Sequence, residues 1–569
     1  MTDRVLSIAS VCAPWQTLPP QGGLHVTKTW LTSLALLLTC ALPVAAQDEP
    51  STAELLERLR QLEQQVKQLQ EGQQPADAGG DEFRLGDEGE EFRLEPPPPA
   101  EESKAAPGPL ERSIYRNRAG GYGNRHGYGY SDDGSGIGFD FGKGIRFQLG
   151  GQIRARAEYR DPADLRIPGQ AGRPLTDDSS DASDFMLLRT RINFDVMLGR
   201  HLRAFVELQD SRVWGDTETN RDTAEVFVRQ AFVEIAEPFD LPLWVWAGRW
   251  KLPDLGDRRL IFTAEFNNVT RSWDGVQVFG HLGGTRTDPF VWFTAFAANV
   301  REGRVGTRTG DENDDFWFSG IYATVHGIGN FTVDLYGFWR HLSDRVFASE
   351  KRARLGDRKD FTLGARIADD WGFLGYSAEA AWQYGDQAGD RVRAWAAAAK
   401  GWVKLDLDEQ SHVAFLAEYA YASGDRDPDD GKRQAFDPLA PSIHLNHGRM
   451  DNFVWSNVHD VMLGVRYAPL KWLKFHLEGH AFWLDKRKDA WYFRPNVVLR
   501  QDPTGRASSF VGSELDLWVS AKVWDHLTVR AGYSRFFAAD YVRNTGKNTL
   551  GRGSGADQDW AFLTLQLDF

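Results

Sequence analysis

Cysteine is almost missing from this chain: two residues in 569, Cys12 and Cys40. Both precede the cleavage expected after Ala46, so the processed chain has none. That excludes a disulfide framework, a thiolate metal centre and a cysteine nucleophile. Long apolar runs are equally scarce. Only 30–46 resembles a helical membrane segment, and it is short, which excludes a helical membrane protein. Positive charge is in deficit, with 66 Lys and Arg against 80 Asp and Glu and a net charge of −14. An acidic balance argues against nucleic acid as a partner. Signature motifs of catalysis are missing too. There is no G-x-S-x-G, no Ser-His-Asp order and no Gly-rich loop opening a helix. The sequence therefore gives no reason to expect an enzyme, and nothing in it calls for a cofactor.

The amino end reads as a secretion signal. Lys28 precedes the apolar run beginning Trp30-Leu31, and Val44-Ala45-Ala46 supplies small residues for the cut, so 1–46 is a signal peptide. The first 25 residues fit no signal pattern, which places the expected true start at Val26. Within 47–75, Leu55, Leu59, Leu62, Val66 and Leu69 follow a heptad seam of fewer than three repeats. This predicts a short coiled-coil-like helix that trimerises the protein or reaches a periplasmic partner, or else an isolated helix. The stretch 76–142, with Pro96-Pro97-Pro98-Pro99 and a Gly/Tyr/Asp-rich end, reads as a disordered linker.

From 143 to 569 one pattern repeats. In 185–209, Met186, Leu188, Ile192, Phe194, Val196 and Leu198 share one parity, while Arg189, Arg191, Asn193 and Asp195 share the other. A strand sends successive side chains to opposite faces, so each stretch has an apolar and a charged face. Eighteen such stretches are expected, from 145–159 to 559–569, an even number. Tight turns join alternate pairs, at 199–201, 327–329 and Asp525. Long polar connections, such as 160–184, 252–271, 342–359, 423–457, 485–511 and 537–558, join the others. Loop length sorted by parity marks a transmembrane antiparallel up-and-down β-barrel, lipid outside and charge inside. A bulge is expected where Arg229 and Gln230 fall out of step. The last strand alternates through Ala561, Leu563, Leu565 and Leu567 and stops on Phe569, like the signal by which the barrel-assembly machinery recognises its substrates.

The inward parity is read to include Arg154, Arg156, Arg189, Arg191, Arg203, Arg249, Lys251, Arg340, Arg366, Arg393, Arg466 and Arg530, interleaved with acids such as Glu158 and Glu207. Arginine rings in a low-dielectric pore favour anions. A merely salt-bridged lumen explains the same residues. The acidic runs 311–315 and 425–430 are either Ca²⁺ ligands or solvated loops, the latter being the simpler reading. His476 and His480 share a face without an evident third ligand, so no metal site is assigned.

The runs 188–191, 204–212 (Ala-Phe-Val-Glu-Leu-Gln-Asp-Ser-Arg), 228–234, 247–249, 256–260 and 271–275, with 512–517 and 532–541 near the end, resemble the alginate export family. The resemblance covers roughly 145–569. It implies an eighteen-stranded outer-membrane barrel whose arginine-lined constriction passes a polyanionic uronic-acid polysaccharide. It further implies partial occlusion by an outer loop and a periplasmic turn, and delivery by a periplasmic scaffold protein. Carried over by motif, Arg189, Arg191, Glu207, Asp210, Arg229, Arg249, Arg258, Arg259, Arg271 and Asp274 join Arg154, Arg156, Arg366, Arg466 and Arg530 as candidate pore-lining residues. The expected site is the outer membrane of a Gram-negative bacterium, in contact with lipid and with an anionic polysaccharide or small anions. The heptad helix lies outside the export pattern and resembles that of trimeric substrate-selective porins. An anion-selective or general uptake porin, trimeric through the coil, is therefore the alternative. A barrel-anchored structural tether is the second.

Overall fold

The computed structural model describes residues 137–569, apart from 143, 162–182, 216–225, 252–254, 264, 285–288, 302–315, 329–330, 352–354, 443 and 547–556. The expected signal peptide, the expected heptad helix and most of the expected linker lie outside the described residues. Eighteen strands form the wall. They begin with β1 (Ile145–Asp161), β2 (Ser183–Leu198), β3 (Leu202–Trp214), β4 (Phe227–Ala236), β5 (Leu243–Trp250) and β6 (Ser272–Gly284). Then come β7 (Pro289–Arg301), β8 (Phe316–Ile328), β9 (Phe331–Ala348), β10 (Leu355–Asp370), β11 (Leu374–Gln387) and β12 (Asp390–Asp406). The set ends with β13 (His412–Ala422), β14 (Val458–Leu470), β15 (Leu473–Trp483), β16 (Phe510–Trp524), β17 (Leu527–Ala538) and β18 (Gln558–Asp568). Each pairs antiparallel with its sequence neighbours, and β18 returns to β1 from Gln152↔Asp568 to Asp161↔Asp559, closing the barrel. Closure removes the sheet edges that a membrane would leave unsatisfied.

The expected two faces are present. Met186, Ile192 and Leu198 on β2, Leu515 and Leu517 on β16, and Leu563, Leu565 and Leu567 on β18 are exposed on the outside. Arg189, Arg191, Glu207 and Arg229, of the opposite parity, are almost completely buried inside. The bulge falls where it was expected: Glu207 pairs Gln230 and Leu208 pairs Val228, leaving Arg229 as the extra residue. That extra residue turns both Arg229 and Gln230 inward.

Two connections differ from the expectation. The predicted loop 342–359 shrinks because β9 runs on to Ala348 and β10 begins at Leu355, with a register shift between Leu342 and Phe347. The polar residues there had the composition of a loop, but Arg358 is an inward residue of a strand. The second is the hairpin between β11 and β12, whose two residues Ala388 and Gly389 take φ of 54° and 94°. The end of the expected linker also differs, since Ile137–Asp140 pairs with the start of β1, Ile137 opposite Leu149 and Asp140 opposite Arg146. Because the register of β18 stops at Gln152, β1 has a bare edge below it that these residues cover.

The hydrophobic core lies within the barrel. Leu260, Ile261, Phe436, Leu439, Met450, Phe453, Trp455, Trp491 and Tyr541, all from connecting segments, bury with the inward wall residues Trp250, Trp273, Phe296, Phe318 and Phe338. The connections therefore fold back into the lumen. Among the described residues no helix is long and apolar enough to cross a membrane.

Candidate functional site: an arginine wall and the segment held on it

Neighbouring strands place inward residues side by side, so the i, i+2 arginines of β1 and β2 stack into one patch. Arg154 is opposite Arg189, and Arg156 lies one step further along β1. The bulge adds Arg229 from β4. Five guanidiniums so close need anionic or carbonyl partners. The segment between β5 and β6 supplies them.

Glu265 is the centre of that contact. Its Oε2 accepts from Arg191 Nη1 at 2.9 Å and lies 3.5 Å from Arg189 Nη1, while Oε1 accepts from Arg229 Nη2 at 2.6 Å. The backbone contributes as much. Arg154 and Arg189 donate to the Glu265 carbonyl at 2.8 and 3.0 Å, and to that of Asn267 at 3.0 and 2.9 Å. Arg156 donates to the Phe266 carbonyl, lies 3.8 Å over the Phe266 ring and pairs with Glu158 at 2.7 Å. Arg229 also binds Glu207 at 2.5 Å and Thr270 Oγ1 at 2.9 Å. Burial alone would raise the Glu265 carboxyl, but Arg191, Arg229 and Arg189 outweigh it and hold the group well below the usual carboxylate range.

The same segment reaches another part of the wall. Asp257 accepts from Arg366 Nε at 2.8 Å and from Ser377 Oγ at 2.5 Å, and Arg366 also binds Asp334 at 2.8 Å. Arg259 pairs with Glu418 of β13 at 2.7 Å. The segment between β13 and β14 packs on top. Phe262 N–H donates to the Ala440 carbonyl at 2.9 Å, Ala440 N–H to that of Leu260 at 2.8 Å, and Phe266 stacks on His444 at 3.6 Å. This second segment faces an acidic stretch of wall. His447 binds Asp460 at 3.0 Å, and Arg449 and Met450 present their N–H groups to Asp516 and Glu514 at 3.3 and 2.9 Å. The lumen thus has a basic side gripping the Glu265 carboxylate and the backbone carbonyls of one segment, and an acidic side gripping the donors of another.

Of the expected site residues, Arg154, Arg156, Arg189, Arg191, Glu207 and Arg229 come together on the basic wall. Arg259 and Arg366 meet through the segment described. Arg466 points inward, 3.2 Å from Glu478, and Arg530 is a half-buried inward residue of β17. Arg258, at a positive φ of 63°, lies 5.3 Å over Phe262, and Arg271 is half-buried beside β6. Three residues lie elsewhere. Asp210 shares the outward parity of Val206 and Leu208 and pairs with Arg212 at 2.7 Å. Arg249 and Asp274 bind each other at 2.6 and 2.8 Å on the face that holds Val233 and Val276. Arg393, likewise read as inward, lies on the exposed face with Trp395. On β5 both parities are apolar, and the large Trp244, Trp246 and Trp250 point in, so alternation gave no guide to Arg249. Sequence reasoning missed Glu265, Asp257, Asn267, Asn268 and Thr270. They sit in a non-periodic polar stretch, and an acid beside an arginine-rich inner face was the one available signal. His480 binds Asp460 at 3.0 Å and His476 stacks on Trp518. Among the described residues no three His, Cys, Asp or Glu side chains gather as a metal group.

A closed eighteen-strand antiparallel barrel, apolar outside and polar within, defines the class as an outer-membrane β-barrel of the channel type. Residues 145–555 match the alginate export family, and the chain belongs to that family. No curated protein matches it in sequence. Among solved structures it is similar to Acinetobacter baumannii OccAB1, at 12% identity and a TM-score of 0.47, covering 78% of this chain and 99% of that one. Pseudomonas aeruginosa OpdQ, at 10% identity and a TM-score of 0.46, is covered over 98% of its length by 74% of this chain. Pseudomonas aeruginosa OccK11 gives 11%, 0.44, and coverage of 96% by 74%.

Proposed function

We propose that the protein is an outer-membrane channel of a Gram-negative bacterium that passes an anionic polysaccharide of the alginate type. The observation that carries this is the inward patch of Arg154, Arg156, Arg189, Arg191 and Arg229, each almost completely buried in the wall. Guanidiniums match carboxylates bidentately, and a series of them offers successive uronate residues equivalent partners. Family membership supports the same polymer class. A periplasmic scaffold protein delivers the chain in this reading, and Phe569 is the residue read by the barrel-assembly machinery.

Planar-bilayer recording of the purified protein tests it. The expected result is anion-selective current blocked by a short oligomannuronate and unaffected by a neutral malto-oligosaccharide. Cation-selective current indifferent to the oligomannuronate would sink the proposal.

A further inference from the structure

Arginines also stand on the outer, lipid-facing side of the wall, near the end that carries the long connections. Three of them hold acids: Arg212 with Asp210 at 2.7 Å, Arg249 with Asp274 at 2.6 Å, and Arg535 with Asp557 and Asp559 at 3.2 Å. Arg391 and Arg393 of β12 do not. Both are exposed on the face of Trp395, and among the described residues neither side chain pairs with a carboxylate. The neighbouring strands explain why. Arg393 stands opposite Tyr384, which brings no charge. Arg391 stands opposite Asp386, whose Oδ1 accepts from the Gly389 N–H of the hairpin at 2.9 Å. On the other flank Lys432 runs beside Arg391 and binds Asp430 at 2.8 Å. Lys359 of β10, opposite Asp386 and 3.8 Å from Asp357, adds a further exposed cation.

Toward the middle of the barrel the same face turns aromatic. Trp395 is opposite Trp382, and the rings of Phe361, Tyr384 and Trp382 follow one another at 5.3 and 5.2 Å. Trp395 lies 4.4 Å from Tyr421. Trp382 and Trp395 are each 51% exposed. Aromatic girdles sit where acyl chains give way to headgroups, and the end with the long connections is the one turned to the outer leaflet. A strand rises about 3.3 Å per residue, so Arg393 and Arg391 stand roughly 7 and 13 Å along it beyond Trp395, at headgroup depth. We propose that Arg391 and Arg393, with Lys359 beside them, bind a phosphate of the phosphorylated glycolipid of the outer leaflet, whose acyl chains lie over Trp382 and Trp395. Phosphate oxygens match the guanidinium fork as carboxylates do. Two copies of the chain meeting here about a two-fold axis would set like charges against each other, which disfavours a dimer as the occupant. The site is on the lipid side of the wall and does not depend on what the lumen passes.

Native mass spectrometry of the full-length protein, stripped of lipid in detergent and titrated with bisphosphorylated lipid A, tests this. The unaltered barrel should retain lipid A and should bind its phosphate-free counterpart about tenfold more weakly, the loss of a charge-assisted bond. Arg391→Gln combined with Arg393→Gln should bring bisphosphorylated lipid A down to that weaker level. Arg535→Gln, at an outward arginine that already holds acids, should leave binding as it was. Equal binding of the two lipids by the unaltered protein overturns the inference, whether or not the double variant folds. So does a double variant that folds and binds normally, or an Arg535 variant that weakens binding equally. If the double variant lowers the oligomeric mass while lipid binding persists, the face joins copies of the chain and is not a lipid site.

Discussion

Gly151 and Phe569 close the barrel by exchanging backbone hydrogen bonds, Gly151 N–H to the Phe569 carbonyl at 2.6 Å and Phe569 N–H to the Gly151 carbonyl at 3.0 Å. The Phe569 ring lies so close that a Cβ on Gly151 would stand 2.5 Å from its Cζ and 2.6 Å from the Arg191 carbonyl oxygen. The seam between first and last strand is therefore built around a missing side chain.

Gly151→Val should weaken that seam by about 1–3 kcal/mol, the usual cost of overpacking a fitted site. The urea midpoint of the folded barrel in detergent, and its mobility on unheated gels, report the loss. Phe569→Ala in the same background removes one of the two clashes, so the double variant should be more stable than the sum of the single losses. Strict additivity would show that ring and glycine do not meet.

Asp437 holds the segment between β13 and β14 to the wall, its Oδ2 lying 3.0 Å from Arg340 and 3.2 Å from Arg358, with a further short bond to Asn496. Asp360 alone would then neutralise two buried guanidiniums. Asp437→Ala should cost about 3–5 kcal/mol of local stability, the range for breaking a buried ion pair by removing one partner. The expected readout is faster proteolysis within 423–457 while the heat-modifiable barrel band persists. Unchanged proteolysis would mean that aromatic packing around Phe453 and Trp455 holds the segment by itself.

Why the wall was legible and its filling was not follows from periodicity. Met186 to Leu198 alternate because one face meets lipid, and an alternation of period two survives in the bare sequence. Even the bulge at Arg229 showed as a break in that rhythm. Glu265, Asp257 and Asp437 belong to segments folded against the lumen without a repeating backbone, so no spacing marks them. Arg249 and Asp274 were misplaced for a related reason. Trp244, Trp246 and Trp250 put large apolar groups on the inner parity, and size within a packed lumen, not polarity, set the direction of that strand. The long strands β9 and β10 were cut short because residues such as Arg358 look like loop residues until the partner Asp360 is seen beside them.

Glu350 should make the connection between β9 and β10 sensitive to pH. Its Oε2 accepts from the Gly431 and Lys432 N–H groups at 2.9 and 3.1 Å, and its own N–H donates to Asp390 at 2.6 Å. Burial, then the adjoining Asp425 carboxyl, push it up to about 8 from an ordinary 4.5. Because the folded value lies above the unfolded one, its contribution is complete below about 4.5 and is lost as pH rises through about 8. Proteolysis near 349–351 and 425–433 should therefore quicken between about pH 5 and pH 9. Glu350→Gln, which stays uncharged, should flatten the profile. An equally steep profile in the variant would assign the effect to another group.

The basic wall and the family motif make opposite claims about Asp210, and ion selectivity separates them. Arg189 and Arg191 face inward and hold Glu265, whereas Asp210 faces outward with Arg212. Replacing Arg189 and Arg191 together by Gln leaves the lipid-facing row of β2 untouched, so the barrel should still fold and migrate as a compact band. Its chloride-over-potassium preference should fall by about tenfold, the low end of what a focused field contributes. Asp210→Asn removes a charge of the opposite sign from the same hairpin, but on its outer face, and should leave the preference unchanged. If the Asp210 variant shifts selectivity as much as the arginine pair does, then the side of the wall on which a charge stands is not what the ions read.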